Sequence, residues 1–267
     1  MSRILITGGN GYIAKSLYAA LKSEYDVTLI SRRDLDLTDG NSVAQYMRNR
    51  YFDLVIHCAI SGGSRLKEDD PKVLDENLLM YYNLYNNRSS FDRLVSFGSG
   101  AELGNPKDPY GLSKHVIRQS VLSTPGFYNI RIFGVFDENE LDTRFIKANI
   151  RRYVNREPLV VHRDKFMDYY YMPDLIHLIR YYIKGEDLMK EFNCGYSMVY
   201  SLNRIASLIN DLDDHSVPII TQESGFGPHY YQTGQPTVLP YKLYLHLGSV
   251  KGLEAGVREV YKKIKNG

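Results

Sequence analysis

A doubly wound α/β fold, with a parallel sheet and a smaller interleaved α/β substrate lobe, is predicted by three observations. Short apolar runs alternate with helix-period stretches through the first half of the chain. Those runs lack the in-out alternation of half-exposed strands, as expected of parallel strands covered on both faces. A glycine-rich turn, Thr7-Gly-Gly-Asn-Gly-Tyr-Ile-Ala14, directly follows the first of them.

The elements follow in order. Arg3 to Ile6 reads as a strand, and Tyr12 to Ser23 as a helix with Ile13, Leu17, Ala20 and Leu21 on one face. Asp26–Ile30 is the next strand, followed by a helix over Ser42–Arg50, a strand over Leu54–Ala59 and a helix over Val73–Asn86. A strand at Leu94–Phe97, a helix from Tyr110 to Leu122 and a strand at Tyr128–Phe133 close the series. Beyond Gly134 the pattern loosens: helices at Thr143–Asn155, Asp174–Ile183, Ser201–Asp211 and Gly252–Lys265, and strands at Leu159–Val161, at Asp168–Met172 and just before Asn193-Cys-Gly195. Ser224 to Pro240, rich in Gly, Pro and Tyr, is expected to be a long loop. The division that follows is a dinucleotide-binding domain over 1–136 and 168–196, and a substrate lobe over 137–167 and 197–267.

Composition narrows the partners. In 267 residues, 33 Lys+Arg stand against 31 Asp+Glu, which leaves no basic excess for nucleic acid or an anionic membrane. No apolar stretch reaches the roughly 18 residues of a membrane span, and no signal-peptide core opens the chain. Cys58 and Cys194 fit no metal-ligand spacing and no disulfide framework, so both are expected to be buried thiols in a reducing, cytoplasmic setting, with no metal site. Twenty-three tyrosines and no tryptophan suit either half-buried strands or a sugar-contacting cleft.

The first motif carries cofactor chemistry. Gly8 permits a tight turn, Gly11 lets backbone N–H groups approach a pyrophosphate, and Ala14 allows close helix packing above a helix N-terminus with positive dipole. Gly8, Asn10, Gly11, Tyr12 and Ile13 make up the candidate cradle of a Rossmann sheet. At the end of the second strand, where NAD-binding folds place an acid, stand Ser31, Arg32 and Arg33. Two guanidiniums and a hydroxyl suit a 2′-phosphate, so NADP(H) is expected, with NAD(H) possible because Asp34 and Asp36 are close by.

Tyr-x-x-x-Lys occurs three times, at Tyr18–Lys22, Tyr110–Lys114 and Tyr261–Lys265. Tyr110 is singled out by its helix start after the fourth strand, with Ser99 in the intervening turn. At i,i+4 the ammonium shares a helix face with the phenol and can favour tyrosinate. Ser99 is then placed to hydrogen-bond a carbonyl oxygen that gains charge as hydride arrives.

The combination resembles the extended short-chain dehydrogenase/reductase family, in particular its nucleotide-sugar epimerases, dehydratases and reductases. Val55-Ile-His-Cys-Ala-Ile-Ser-Gly-Gly63, Glu76-Asn-Leu78, Arg131-Ile-Phe-Gly-Val-Phe136 and Phe192-Asn-Cys-Gly195 match its later elements. Gly98-Ser99 and Leu35-Asp-Leu-Thr-Asp39 look most like GDP-fucose synthases and dTDP-4-dehydrorhamnose reductases. The resemblance implies catalytic Ser99, Tyr110 and Lys114. It also implies Asp36 and Leu37 beside the adenine, His57, Cys58, Ala59 and Ile60 along the cofactor, and a homodimer through two helices. The family arginine that grips the sugar-nucleotide diphosphate is replaced by Met167, so Lys165 or Arg163 is expected to substitute, with Tyr230 contacting substrate.

Departures from the family pattern narrow the reaction. Gly100-Ala101 stands where dehydratases carry an Asp-Glu pair and where GDP-fucose synthases carry a cysteine, and Leu141-Asp-Thr-Arg144 supplies no histidine. Glu102 is the one acid beside the centre, and reads as a surface or cofactor-side residue. Reduction of a keto group, at C4, on a nucleoside-diphosphate deoxysugar is the expected activity. Two readings stay beside it: an NAD-dependent C4 epimerase, and a non-catalytic dinucleotide-binding regulator, the latter because Ser99 and Tyr110 are only eleven positions apart.

Overall fold

The computed structural model describes residues 1–64, 68–227 and 241–267. In chain order the elements are β1 (Arg3–Ile6), α1 (Tyr12–Leu21), β2 (Asp26–Leu29), α2 (Gly40–Met47), β3 (Phe52–His57), α3 (Lys72–Asn86), β4 (Phe91–Ser99), α4 (Pro109–Ser123) and β5 (Phe127–Ile132). Then come β6 (Val135–Phe136), α5 (Phe145–Val154), β7 (Leu159–Asp164), β8 (Tyr170–Tyr171), α6 (Met172–Lys184), β9 (Glu191–Cys194), α7 (Leu202–Asn210), β10 (Ile219–Phe226), α8 (Tyr241–Leu247) and α9 (Gly252–Asn266).

The chain forms two compact units, Met1–Arg131 with Arg180–Phe192, and Ile132–Ile179 with Asn193–Gly267. Among the described residues the larger sheet has the order β2-β1-β3-β4-β5-β9. β1 runs parallel to β2 and β3, and β3 parallel to β4. Because β1 lies between β2 and β3, successive crossovers leave it in opposite directions. A crevice opens at that switch point, beyond the carboxyl ends of the strands.

Burial explains why these short runs become strands. Ile4, Leu5 and Ile6 on β1 and Val55 and Ile56 on β3 are fully buried. In the first unit Leu5 and Val55 join a core that includes Val43, Met47, Tyr81, Leu84, Ile117, Val121 and Phe127 from the covering helices and β5. Each large side chain removed from water contributes about 1.5–3 kcal/mol, more than the propensity of a four-residue strand supplies.

The second unit has its own core, built on Phe136, Ile146, Ile150, Tyr153, Tyr171, Ile205, Ile209, Val257 and Val260. It carries two parallel two-stranded ladders, β7 with β10 and β6 with β8. Asp174 on α6 ties it together. Its carboxylate accepts from the backbone N–H groups of Lys251 (2.9 Å) and Gly252 (3.0 Å) at the start of α9, and from the Tyr196 hydroxyl at 2.5 Å.

Two expectations for the tail are corrected. The loop placed over 224–240 is in its first part a strand: β10 continues to Phe226, pairing Ile219–Thr221 with Leu159–Val161 and slipping register between Glu223 and Phe226. The β-branched run Ile219-Ile220-Thr221 supplies the propensity and β7 the missing partner. Residues 228–240, with His229, Tyr230 and Tyr231, lie outside the described residues. No helix was expected at α8, which is only seven residues long and too short to stand alone. It is held by Leu243, fully buried, and by His246, whose ring stacks on His177 at 3.9 Å.

Part of the tyrosine excess fills the core, largely from helices. Tyr81, Tyr153, Tyr171 and Tyr182 are fully buried, and three of the four sit on helices. Their hydroxyls reach Ser120 Oγ (3.0 Å), the His215 carbonyl (2.8 Å), Glu259 Oε2 (2.8 Å) and the Met189 carbonyl (2.9 Å). A large ring with a satisfied polar tip does the work of tryptophan here.

Asp174→Ala is expected to destabilise the protein by about 2–3 kcal/mol, because two amides and a buried phenol lose a charged acceptor. Urea unfolding of the variant against wild type measures it, and an unchanged midpoint would contradict the anchoring role.

Candidate active site

A cavity of about 250 Å³ opens in the first unit, lined by Gly8, Asn10 and Gly11 after β1, by Ile30, Ser31, Arg32, Leu35, Asp36, Leu37 and Thr38 after β2, by Cys58, Ala59, Ile60 and Ser61 after β3, and by Glu76 and Met80 on α3. Gly8, at φ +72°, leaves the β1 turn so close to β3 that a Cβ there would stand 2.6 Å from the Ala59 nitrogen. Gly11 caps α1 without a side chain, and no acid occupies the first turn of the helix. The helix N-terminus is thereby left to an anion. Apolar Ile30, Leu35, Leu37, Ile60 and Met80 offer a flat ring its remaining walls. These features fit a nicotinamide dinucleotide.

Two buried clamps shape that cavity. Thr7 Oγ1 accepts from the backbone N–H groups of Cys58 and Ala59, both at 3.2 Å, so its own proton goes to His57 Nδ1 at 2.9 Å. Burial holds His57 down to about 3, neutral across the working range, with the Lys114 charge adding to the effect. Asn77 on α3 accepts from Ser61 N–H (2.8 Å) and donates to the Ser61 carbonyl (3.1 Å) and to Ser113 Oγ (3.0 Å) on α4. The floor of the crevice is thus tied to the helix that carries Tyr110 and Lys114.

All three Tyr-x-x-x-Lys tetrads put the ammonium near the ring, at 5.5 Å for Lys22, 6.0 Å for Lys114 and 5.4 Å for Lys265. Burial separates them. Lys114 is 7% exposed, and its Nζ donates to the Phe97 carbonyl of β4 at 2.6 Å. Burial pulls it to about 8, while the Glu102 charge pulls the other way. Asp108 accepts from Gly111 N–H at 2.7 Å and so starts α4 one residue before Tyr110. Gly63 packs so near the phenol that a Cβ there would stand 2.7 Å from Tyr110 Cε2.

Ser99 ends β4 beside a 3-10 turn over Gly100–Glu102. Its Oγ accepts from Ala101 N–H at 3.2 Å, which leaves the hydroxyl its own proton to donate. Its backbone N–H donates to Glu102 Oε2 at 3.1 Å. Glu102, read from the sequence as a surface or cofactor-side acid, is instead 1% exposed. Its carboxylate takes Arg131 Nε at 2.7 Å and Asn129 Nδ2 at 2.8 Å. Arg131 also pairs with Glu191, which Arg118 holds at 2.5 and 2.9 Å. No local pattern marks this arrangement, because its members come from the turn, α4, β5 and β9.

The family model for "NAD dependent epimerase/dehydratase family" matches residues 4–195. The chain belongs to that family. A GDP-L-colitose synthase of Yersinia pseudotuberculosis is 28% identical over 161 residues, 58% of this chain and 48% of that protein. The chain therefore spans about half the length of this curated relative in the match. A GDP-mannoheptose C4 reductase from Campylobacter jejuni, solved with NADP bound, superposes with a TM-score of 0.76 at 17% identity, covering 99% of this chain and 98% of that one. A dTDP-4-dehydrorhamnose reductase from Clostridium acetobutylicum gives 0.76 at 22%, covering 99% and 100%.

Of the residues expected to bind cofactor, Gly8, Asn10, Gly11, Ser31, Arg32, Asp36, Leu37, Cys58, Ala59 and Ile60 line the cavity of this family member. Tyr12 and Ile13 begin α1, and Arg33 is exposed; none of the three is among the lining residues. Cys194 is buried as expected, whereas Cys58 is only partly so because its thiol borders the cavity. Lys165 is half-buried in the second unit. Glu76 and Met80 were missed, although their i,i+4 spacing places them on one face of α3. Among the described residues no cluster of His, Cys, Asp or Glu could hold a metal ion, and no helix is long and apolar enough to cross a membrane.

Lys114 binds a proton less tightly folded than unfolded, so between about pH 8 and the ordinary lysine value the unfolded chain holds more protons and stability rises with pH. Below pH 8 the full penalty, about 3 kcal/mol, is present. Lys114→Met is expected to stabilise the protein at pH 7 by about 1–2 kcal/mol after the lost Phe97 hydrogen bond is subtracted. That gain fades by about pH 10.5. Denaturant unfolding at the two pH values measures it, and a destabilised variant at pH 7 would contradict it.

Proposed function

We propose that this chain is an NADPH-dependent reductase of a keto group, at C4, on a nucleoside-diphosphate-activated deoxysugar in sugar-nucleotide biosynthesis. The observation that carries the reading is the buried Lys114 beside Tyr110, with Ser99 at the end of the strand whose Phe97 carbonyl Lys114 engages.

When bound, the nicotinamide dinucleotide supplies the hydride. Tyr110 gives the proton to the carbonyl oxygen, and Ser99 donates a hydrogen bond to that oxygen as its charge grows. The Lys114 ammonium favours the tyrosinate left behind, so the phenol releases its proton near neutral pH. Fixed by β4 at Phe97, the ammonium needs little rearrangement during the step.

Plain reduction is favoured over dehydration or epimerisation by what surrounds Ser99. Gly100 and Ala101 carry no acid or thiol. Glu102 is occupied by Arg131, Asn129 and the Ser99 amide, so its oxygens are already engaged as hydrogen-bond acceptors. The similarity to a GDP-L-colitose synthase, a GDP-mannoheptose C4 reductase and a dTDP-4-dehydrorhamnose reductase supports this reading. The cytoplasm and a homodimer complete the reading.

Arg32 supports NADPH. Its Nε pairs with Asp36 Oδ2 at 3.2 Å, an ion pair that uses neither terminal nitrogen of the guanidinium. The same Asp36 lines the cavity and favours the second reading, a C4 epimerase retaining NAD, since a carboxylate there suits a free ribose hydroxyl. Protein purified with NAD bound and oxidising no NADPH would favour the epimerase.

Tyr110→Phe is expected to abolish NADPH oxidation with nucleotide keto-sugars while cofactor binding stays intact. A screen of such sugars by absorbance at 340 nm tests it, and full activity in the variant, or no oxidation by wild type with any keto-sugar, would sink the assignment.

Arg32→Ala is expected to weaken NADPH by about tenfold or more and NADH far less, as a lost charge-assisted phosphate contact would. Fluorescence titration of both cofactors measures it, and equal losses would overturn the 2′-phosphate role.

A further inference from the structure

Glu102 has an unusual situation for a side chain outside the proposed chemistry. It is 1% exposed, yet its two oxygens receive Arg131 Nε, Asn129 Nδ2 and the Ser99 backbone N–H. Its own carbonyl meets His115 Nδ1 at 3.0 Å, one residue beyond Lys114. The turn bearing Glu102 is therefore joined to Ser99 on one side and to the helix of Tyr110 and Lys114 on the other. Gly98 completes the fit, because a Cβ at that position would stand 2.7 Å from both Glu102 oxygens and from Asn129 Oδ1.

We propose that Glu102 is the positioning residue of the reducing centre: locked by Arg131 and Asn129, it fixes the backbone of Ser99 and supplies the countercharge that keeps a buried ammonium at Lys114. This rests on the reading of Ser99, Tyr110 and Lys114 as that centre.

Charge balance supports the second half. Arg118, Arg131, Glu102 and Glu191 form a chain of ion pairs whose formal charges cancel. Neutralising Glu102 removes one negative charge from that chain. Of the other ionisable groups facing Lys114, Tyr110 shares its helix, burial keeps His57 neutral, and Cys58, whose thiol burial pushes up, acts on the Lys114 proton in the same sense as Glu102 but less strongly. Glu102 acts in the opposite sense to burial on the Lys114 proton.

The test uses Glu102→Gln, which keeps the shape and removes the charge. Lysine side-chain carbon resonances, with Lys114→Met to assign the signal, give the Lys114 titration midpoint in the cofactor-free protein; it is expected to fall by about one unit. In turnover, kcat is expected to fall about tenfold to a hundredfold with KM nearly unchanged, and the basic limb of its pH profile to move down with Lys114. A Lys114 midpoint that does not move overturns the proposal. If wild type oxidises NADPH with no keto-sugar, the reductase reading fails, and the midpoint in the cofactor-free protein still decides whether Glu102 supplies the countercharge. Should Glu102→Gln not fold, Gly98→Ala, which crowds the carboxylate without removing it, carries the same measurement: a lowered midpoint supports the placement and an unchanged one overturns it.

Discussion

The Glu102 carboxylate and the Arg131 guanidinium lie out of water, and each depends on the other for its charge to be tolerated there. A buried pair of this kind adds little net stability against an apolar pair of the same volume, but losing either partner costs about 3–5 kcal/mol. The pair's value is geometric. Through the Ser99 amide it sets the end of β4, through Asn129 and Glu191 it joins the next strands, and through the His115 contact it reaches α4. The three residues proposed to act on the substrate are all attached to this one set of bonds.

Lys114 shows the opposite economy of forces. Its burial works against stability, and the Phe97 carbonyl and the nearby Glu102 charge offset part of it. A lysine placed for packing alone would extend to water, as Lys22 and Lys265 do while making the same ring contact. Strain retained at one position against the stability of the whole is a mark of a functional residue.

The cofactor crevice depends on polar side chains that hold backbone rather than ligand. Thr7 joins the ends of β1 and β3, and Asn77 joins the loop after β3 to α4. Neither lines the cavity, yet both decide its width. Gly8 and Gly63 serve the same end by absence, one letting β1 approach Ala59 and the other letting a loop approach the Tyr110 ring.

Periodicity, turn chemistry and the glycine pattern by themselves determined the alternating strands and helices of the first unit and the cavity-lining Gly8, Asn10, Gly11, Ser31 and Arg32, because those signals are local in sequence, whereas Asp36, Leu37, Cys58, Ala59 and Ile60 were implied by the family resemblance. Element order singled out Tyr110–Lys114 among the three Tyr-x-x-x-Lys tetrads, and the tertiary structure decided that its lysine is buried against a strand carbonyl. It also decided that Glu102 faces inward, since its partners Asn129, Arg131 and Glu191 are distant in sequence and meet it only when β4, β5 and β9 come together. β10 and α8 escaped for the same reason: a parallel partner in β7 and a stacked His177 stabilise them, and neither leaves a mark within ten residues of the element it holds. Local chemistry names the groups of the proposed centre, whereas long-range packing sets their charge and aim.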